Sequence, residues 1–116
     1  MESPYVDCIG HLTNRKIGKR APALIDLDRV IEKALETGTF LELNSQPDRL
    51  DLSDVHARAA REAGVKVVVD SDGHQVAALD YVELGVGQAR RAWMTKEDVV
   101  NTRTWKQIEK LKKKRP

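Results

Sequence analysis

The 116-residue sequence contains a single cysteine, only 4% aromatic residues and no long apolar run. Cys8, being alone, excludes an intrachain disulfide, and its place in an apolar run favours a small buried thiol over a nucleophile, which would need an adjacent base. With so few aromatics, burial must come from Val, Leu, Ile and Ala, a composition suited to helices packed on parallel strands. No apolar stretch approaches the roughly 20 residues that span a bilayer, and the Met1-Glu2-Ser3-Pro4 start lacks the basic and apolar regions of a signal peptide. The expectation is a cytoplasmic chain with no membrane partner.

A hydrophobic share of 41% and a charged share of 33% describe one soluble globular unit. The formal net charge of +2 and the isoelectric point near 8.8 are too mild to establish a nucleic-acid partner. The distribution is more informative than the sum. Arg15, Lys16, Lys19 and Arg20 form one basic cluster, and Lys110, Lys112, Lys113, Lys114 and Arg115 form a second within a basic tail over residues 110–116. Each can hold phosphate groups or form a solvated face.

Along the chain, strand and helix patterns alternate. Residues 5–10 read as a buried strand that delivers His11 at its C-terminal end. Leu27, Val30, Ile31, Ala34 and Leu35 follow the spacing of an amphipathic helix, with Asp26 as N-cap and Gly38 as stop. Residues 40–43 read as a strand. Leu52, Val55, Ala59 and Ala63 are expected to line one face of a second helix, opened by Asp51 or Ser53 and closed by Gly64. Residues 65–69 read as a strand buried on both faces. A helix is expected over residues 76–84, followed by a tight strand or turn at Gly85-Val86-Gly87. Thr95 with Asp98, and Thr104 with Gln107, resemble capping pairs that open two further helices. No internal repeat, linker or domain boundary interrupts the pattern. Such alternation implies βαβ units and an α/β architecture, in which reactive groups gather at the C-terminal ends of parallel strands. His11, Asp72 and His74 all fall there.

Asp72-Gly73-His74 sets a carboxylate and an imidazole two residues apart after a Val-rich strand, so an extended backbone points both to one side. Together they suit zinc, manganese or iron. On spacing alone the alternative is an Asp cap beside a hydrogen-bonded loop His. A calcium loop starting at Asp70 is excluded, because Tyr81 stands where an EF-hand places Glu.

Several motifs in order resemble those of the PHP (polymerase and histidinol phosphatase) family, in the form attached to bacterial family X DNA polymerases. Val6-Asp7-Cys8-Ile9-Gly10-His11-Leu12-Thr13-Asn14-Arg15, with Gly18-Lys19-Arg20, is similar to the segment in which a strand ends in a metal-binding His. Leu12 and Asn14 stand where the family usually has Pro and Gly. Leu41-Glu42-Leu43-Asn44, Pro47-Asp48-Arg49-Leu50-Asp51-Leu52 and Asp54-Val55-His56-Ala57 resemble its glutamate-asparagine strand and the turn after it. Asp72-Gly73-His74 resembles the closing metal motif, and Gly85-Val86-Gly87 with Ala89-Arg90-Arg91-Ala92-Trp93 the segment beyond.

The resemblance implies that residues 1–116 are the C-terminal part of one PHP domain whose N-terminal half is absent, a portion of a distorted parallel βα barrel akin to a TIM barrel. It implies divalent metal ions, manganese or zinc with iron a further candidate, held by His11, Asp72 and His74, with Asp72 catalytic. Arg15, Lys19 and Arg20 are the expected substrate-binding residues. The implied activity is metal-dependent phosphoester hydrolysis of the 3′-5′ exonuclease and 3′-phosphatase type, linked to DNA repair, with a DNA 3′ end or a small phosphoester as substrate. Two alternatives stand beside it: a small-molecule phosphatase of the histidinol-phosphate type, and a non-catalytic remnant that binds DNA or a partner chain. The family's opening H-x-H motif and bridging glutamate have no counterpart here, and His56 is expected to be a surface residue in mid-helix. A half-barrel leaves sheet edges and an apolar face open, so the missing half or a second copy in a homo-oligomer is an expected partner.

Overall fold

The computed structural model describes residues 1–116 and contains a three-stranded parallel sheet in the order β1-β2-β3, formed by Cys8–Ile9, Phe40–Asn44 and Val67–Asp70. Helix α1 (Leu27–Thr37) connects β1 to β2, and α2 (Asp54–Ala63) connects β2 to β3. After β3 a 3-10 segment, Val76–Tyr81, runs directly into α3 (Val82–Arg91). A 3-10 turn at Val100–Thr102 and α4 (Trp105–Leu111) complete the chain. No helix is long and apolar enough to cross a membrane.

Local signals account for most boundaries. Asp26 accepts from the Arg29 amide to open α1, Ser53 does the same for the His56 amide in α2, and Gly38 and Gly64 end the two helices with left-handed backbones. Thr104 and Gln107 form the full reciprocal box at the start of α4. The pleat then sorts side chains. Leu41 and Leu43 share a face with their register partners Val67 and Val69, and there Ile31 and Ala34 of α1, Ala57 and Ala60 of α2, and Ala89 of α3 complete the core. Glu42 and Asn44, paired with Val68 and Asp70, point to the other face.

Several expectations need correction. The first strand is only Cys8–Ile9, shorter than residues 5–10. The buried face of α2 carries Ala57 and Ala60, while Val55 is 71% exposed. Leu52 is fully buried but precedes the Ser53 cap, so helical phase counted from it selects the wrong face. Gly85-Val86-Gly87 lies inside α3 rather than forming a strand or turn. Thr95 does bond Asp98, through both its amide and hydroxyl, but the pair closes a turn and opens no helix. That turn has another use. It sets Val99 in a parallel bridge with Val67, and the Asn101 side chain accepts from the Val69 amide at 3.1 Å and donates to its carbonyl at 2.7 Å. The β3 edge, expected to be open, is thereby capped.

Candidate functional site

Because all three strands are parallel, His11 after β1 and Asp72 and His74 after β3 leave the same end of the sheet. His11 (φ 30°) and Asp72 (φ 49°) both adopt left-handed backbone conformations, although neither is glycine. Each such residue costs on the order of 1–3 kcal/mol and persists only where its surroundings hold it. For His11 the holder is Glu42, whose Oε2 accepts from the His11 amide at 2.5 Å and lies 3.9 Å from its Nδ1. Gly10 permits this approach, since a Cβ there would stand 3.2 Å from the same oxygen. Asp72 is held by the Asn44 amide, whose Nδ2 donates to Asp72 Oδ2 at 3.0 Å. Gln46 adds bonds from Nε2 to the carbonyls of Ser71 and Asp72 at 3.0 and 2.8 Å.

The His74 ring is exposed, and its Nδ1 lies 2.7 Å from the Asp72 carbonyl oxygen. A carbonyl only accepts, so Nδ1 carries a proton, and in the neutral ring Nε2 is the nitrogen with a lone pair for a ligand. Imidazole nitrogen and carboxylate oxygen are the right donors for a divalent ion of the manganese or zinc class. The number is short, however, because no three His, Cys, Asp or Glu side chains converge closely enough to hold an ion.

Electrostatics at this sheet end are dominated by acids. Burial raises the Asp70 carboxyl to about 7, and the neighbouring Glu42 and Asp72 carboxylates push the same way. Cys8, below them on β1, is pushed up to about 12 by burial and by Glu42, Asp70 and Asp7, so its thiol stays protonated and is no nucleophile at neutral pH. The largest surface cleft, about 640 Å³, runs beside α1 from Met1 to Glu36 and does not include the sheet end.

The basic loop does not act as one unit. Arg15 donates from Nε to the Arg49 carbonyl at 2.7 Å and from Nη2 to the Leu50 carbonyl, which commits its fork to the backbone of the loop after β2. The Thr13 amide bonds the buried Asp51 carboxylate at 2.9 Å, tying the same two loops together. Asn14, standing where glycine was expected from the resemblance, takes a left-handed backbone (φ 51°), and its side-chain oxygen accepts from Arg20 at 2.9 Å. Lys19 and Arg20 are exposed. Of the three expected substrate-binding residues, Arg15 has Nε and Nη2 engaged by backbone carbonyls, whereas Lys19 and Arg20 keep exposed side chains.

The second basic cluster is largely engaged too. The Lys113 amide and the Arg115 guanidinium bond Asp7 at 3.2 and 2.6 Å, and Lys113 Nζ also meets the Met1 and Ser3 carbonyls. His56 sits in the first turn of α2 rather than in mid-helix, with Nδ1 enclosed and unpartnered. The residues that sequence reasoning left out of the site are Glu42, Asn44, Gln46 and Asp70. Their signal was the alternation Leu41, Glu42, Leu43, Asn44, which places polar groups on one face of a central strand.

No family model matches the chain. It is 42% identical over 114 residues to the DNA polymerase/3′-5′ exonuclease PolX of Bacillus subtilis, a match covering 98% of this chain and 20% of that protein. It is 32% identical over 121 residues to a probable phosphatase of Thermoanaerobacter sp., covering 99% of this chain and 47% of the relative. A probable phosphatase of Clostridium acetobutylicum is 30% identical over 123 residues, again with 47% of its length covered. The chain thus spans a fifth of the polymerase and about half of the phosphatases.

Proposed function

We propose that the chain is the C-terminal part of a PHP-type phosphoesterase domain of the kind linked to family X polymerases, and that it contributes His11, Asp72 and His74 to a divalent-metal centre. The observation that supports this most is the placement of His11 and Asp72. They come from strands on opposite sides of β2, leave one end of the sheet in strained conformations, and are fixed there by polar side chains of β2 and its following loop. The sequential order β1-β2-β3, with α1 and α2 packed against one face, is compatible with a segment of a βα barrel. The relatives' names, 3′-5′ exonuclease and probable phosphatase, share hydrolysis of phosphoesters.

When bound, a manganese or zinc ion would offset phosphate charge and provide a water-derived nucleophile. This chain's own part is to present His74 Nε2, the Asp72 carboxylate and the His11 ring at fixed positions, with Lys19 and Arg20 as the exposed cations that meet substrate phosphate. Each ion would still lack ligands, since catalytic zinc sites keep about three from the protein. The remainder must come from a segment outside residues 1–116, and the chain alone is expected to be a poor enzyme.

Two assays test this. The 116-residue chain loaded with manganese should show negligible cleavage of single-stranded DNA 3′ ends and of a generic phosphate ester. A chimera joining it behind the preceding half of the Thermoanaerobacter phosphatase should hydrolyse one of them and lose that activity on Asp72→Ala. Ordinary turnover by the chain alone, or a folded chimera inert toward both substrates, refutes the proposal.

A further inference from the structure

The polar face of β2 carries a further assignment, which rests on the functional reading above. We infer that Glu42, Asn44 and Gln46 are positioning residues: the central strand and its extension reach to both sides, Glu42 fixing His11 and the Asn44–Gln46 pair fixing Asp72 and, through it, His74.

Residues 42, 44 and 46 alternate, so the pleat aims the first two at the same face, and β2 is the only strand flanked on both sides by strands that end in candidate ligands. Glu42 turns toward β1 and takes the His11 amide at 2.5 Å. Asn44 turns toward β3, its Nδ2 donating to Asp72 Oδ2 at 3.0 Å while its Oδ1 accepts the Gln46 amide at 3.0 Å. The Gln46 side chain then closes on the Ser71 and Asp72 carbonyls, and the Asp72 carbonyl is the atom that also orients the His74 ring. Asn44 is fully buried and both ends of its amide are used, so its orientation is over-determined. Every link reaches a backbone group or one carboxylate oxygen of a candidate ligand, leaving Asp72 Oδ1 and the Nε2 atoms of His11 and His74 free of hydrogen bonds. Ligand geometry of this kind depends on such supporting bonds as strongly as on the ligands.

The test uses the intact 116-residue chain, labelled with nitrogen-15, and two readouts. The first needs no metal. Glu42→Ala should speed exchange of the His11 amide by roughly tenfold or more, as expected for losing a charge-assisted bond. Glu42→Gln, which keeps an acceptor in place, should stay near wild type. Gln46→Ala should lower the order parameters of the Asp72 and Gly73 amides while those of Leu41 and Val67 hold, and it avoids the folding risk of replacing the buried Asn44. Unchanged exchange at His11 in Glu42→Ala, or unchanged order at Asp72 in Gln46→Ala, overturns the positioning role. The second readout is resonance broadening by millimolar manganese. Wild type should broaden first at His11 and at Gly73 and His74, Glu42→Ala should lose the former, and Gln46→Ala the latter. Broadening identical in all variants also overturns the inference. Absence of selective broadening in wild type, with the exchange and order effects present, instead refutes the metal-centre reading and leaves β2 as a purely structural support.

Discussion

Gly85 and Gly87 occupy one helix two residues apart, and replacing each with alanine should move stability in opposite directions. In an exposed helix interior, glycine is about 0.8–1 kcal/mol worse than alanine, so propensity alone favours both substitutions. At Gly87 nothing lies within 4 Å of an added Cβ, and the propensity gain should appear nearly whole. At Gly85 the added Cβ would meet Ser45 Oγ at 1.9 Å and Val69 Cγ1 at 2.9 Å. Ser45 is fully buried and Val69 is a core residue, so neither can swing into solvent. Overpacking of this kind costs about 1–3 kcal/mol, and a contact this far inside van der Waals range belongs near the top of that span. Net of propensity, Gly85→Ala should destabilise by about 1–2 kcal/mol and Gly87→Ala should stabilise by up to about 1. Urea unfolding followed by circular dichroism reads both as shifts of midpoint at constant slope. Equal midpoints for the two variants would show that α3 does not rest on the sheet through Gly85. The prediction bears on the site, because Ser45 follows Asn44 directly and Val69 precedes Asp70.

Two further outcomes are expected. Asp70 titrates near 7 in the folded chain, above its ordinary value of 3.8, so the folded state binds the extra proton and stability should fall as pH rises from about 4 to about 7. Asp70→Asn should flatten that slope, by roughly 1–2 kcal/mol across the window once the group's half exposure is discounted; an unchanged profile would remove Asp70 as its cause. Arg15→Ala should cost about 1.5–3 kcal/mol in urea unfolding by freeing the Arg49 and Leu50 carbonyls, whereas Arg20→Ala, on an exposed side chain, should leave the midpoint within about 0.5. The reverse order would return Arg15 to the substrate-binding set.

The sequence made the boundaries of α1 and the start of α4 legible because local chemistry decided them. Asp26 with Gly38, and Thr104 with Gln107, are short-range signals that the folded chain uses as written. Where it misled, a distant contact decided. Glycines 85 and 87 look like a break in any local reading, yet α3 accepts the propensity cost because Gly85 lets the helix approach Ser45 and Val69. Val55 looks like a core residue of α2, but the first apolar residue of the pattern, Leu52, belongs to the loop before the cap. The basic cluster at residues 15–20 was legible as charge and not as geometry. Whether an arginine fork meets phosphate or two backbone carbonyls depends on the loop after β2, some thirty residues away, and nothing local encodes that choice.

The same distinction bears on the charge at the sheet end. The chain as a whole carries a formal +2, yet its basic residues do not offset the acids where β2 and β3 finish. Arg15 is turned to the Arg49 and Leu50 carbonyls, Arg20 and Arg49 share the Asn14 side chain, Lys113 Nζ meets the Met1 and Ser3 carbonyls, and Lys112 and Arg115 are drawn to Asp7 just before β1. Glu42 and Asp72 are left with neutral partners, the His11 amide and the Asn44 side chain, and burial, aided by the Glu42 and Asp72 carboxylates, makes the Asp70 carboxyl hold its proton more tightly. A fold selected for stability alone would place a lysine or arginine on that face, since like charges at such separation cost free energy. Together with the left-handed strain at His11 and Asp72, the unneutralised acids make this end of the sheet the part of the chain least explained by packing. A divalent cation would relieve the repulsion and use the strained side chains at once, which is why the proposed metal centre accounts for features that the stability of the isolated chain does not require.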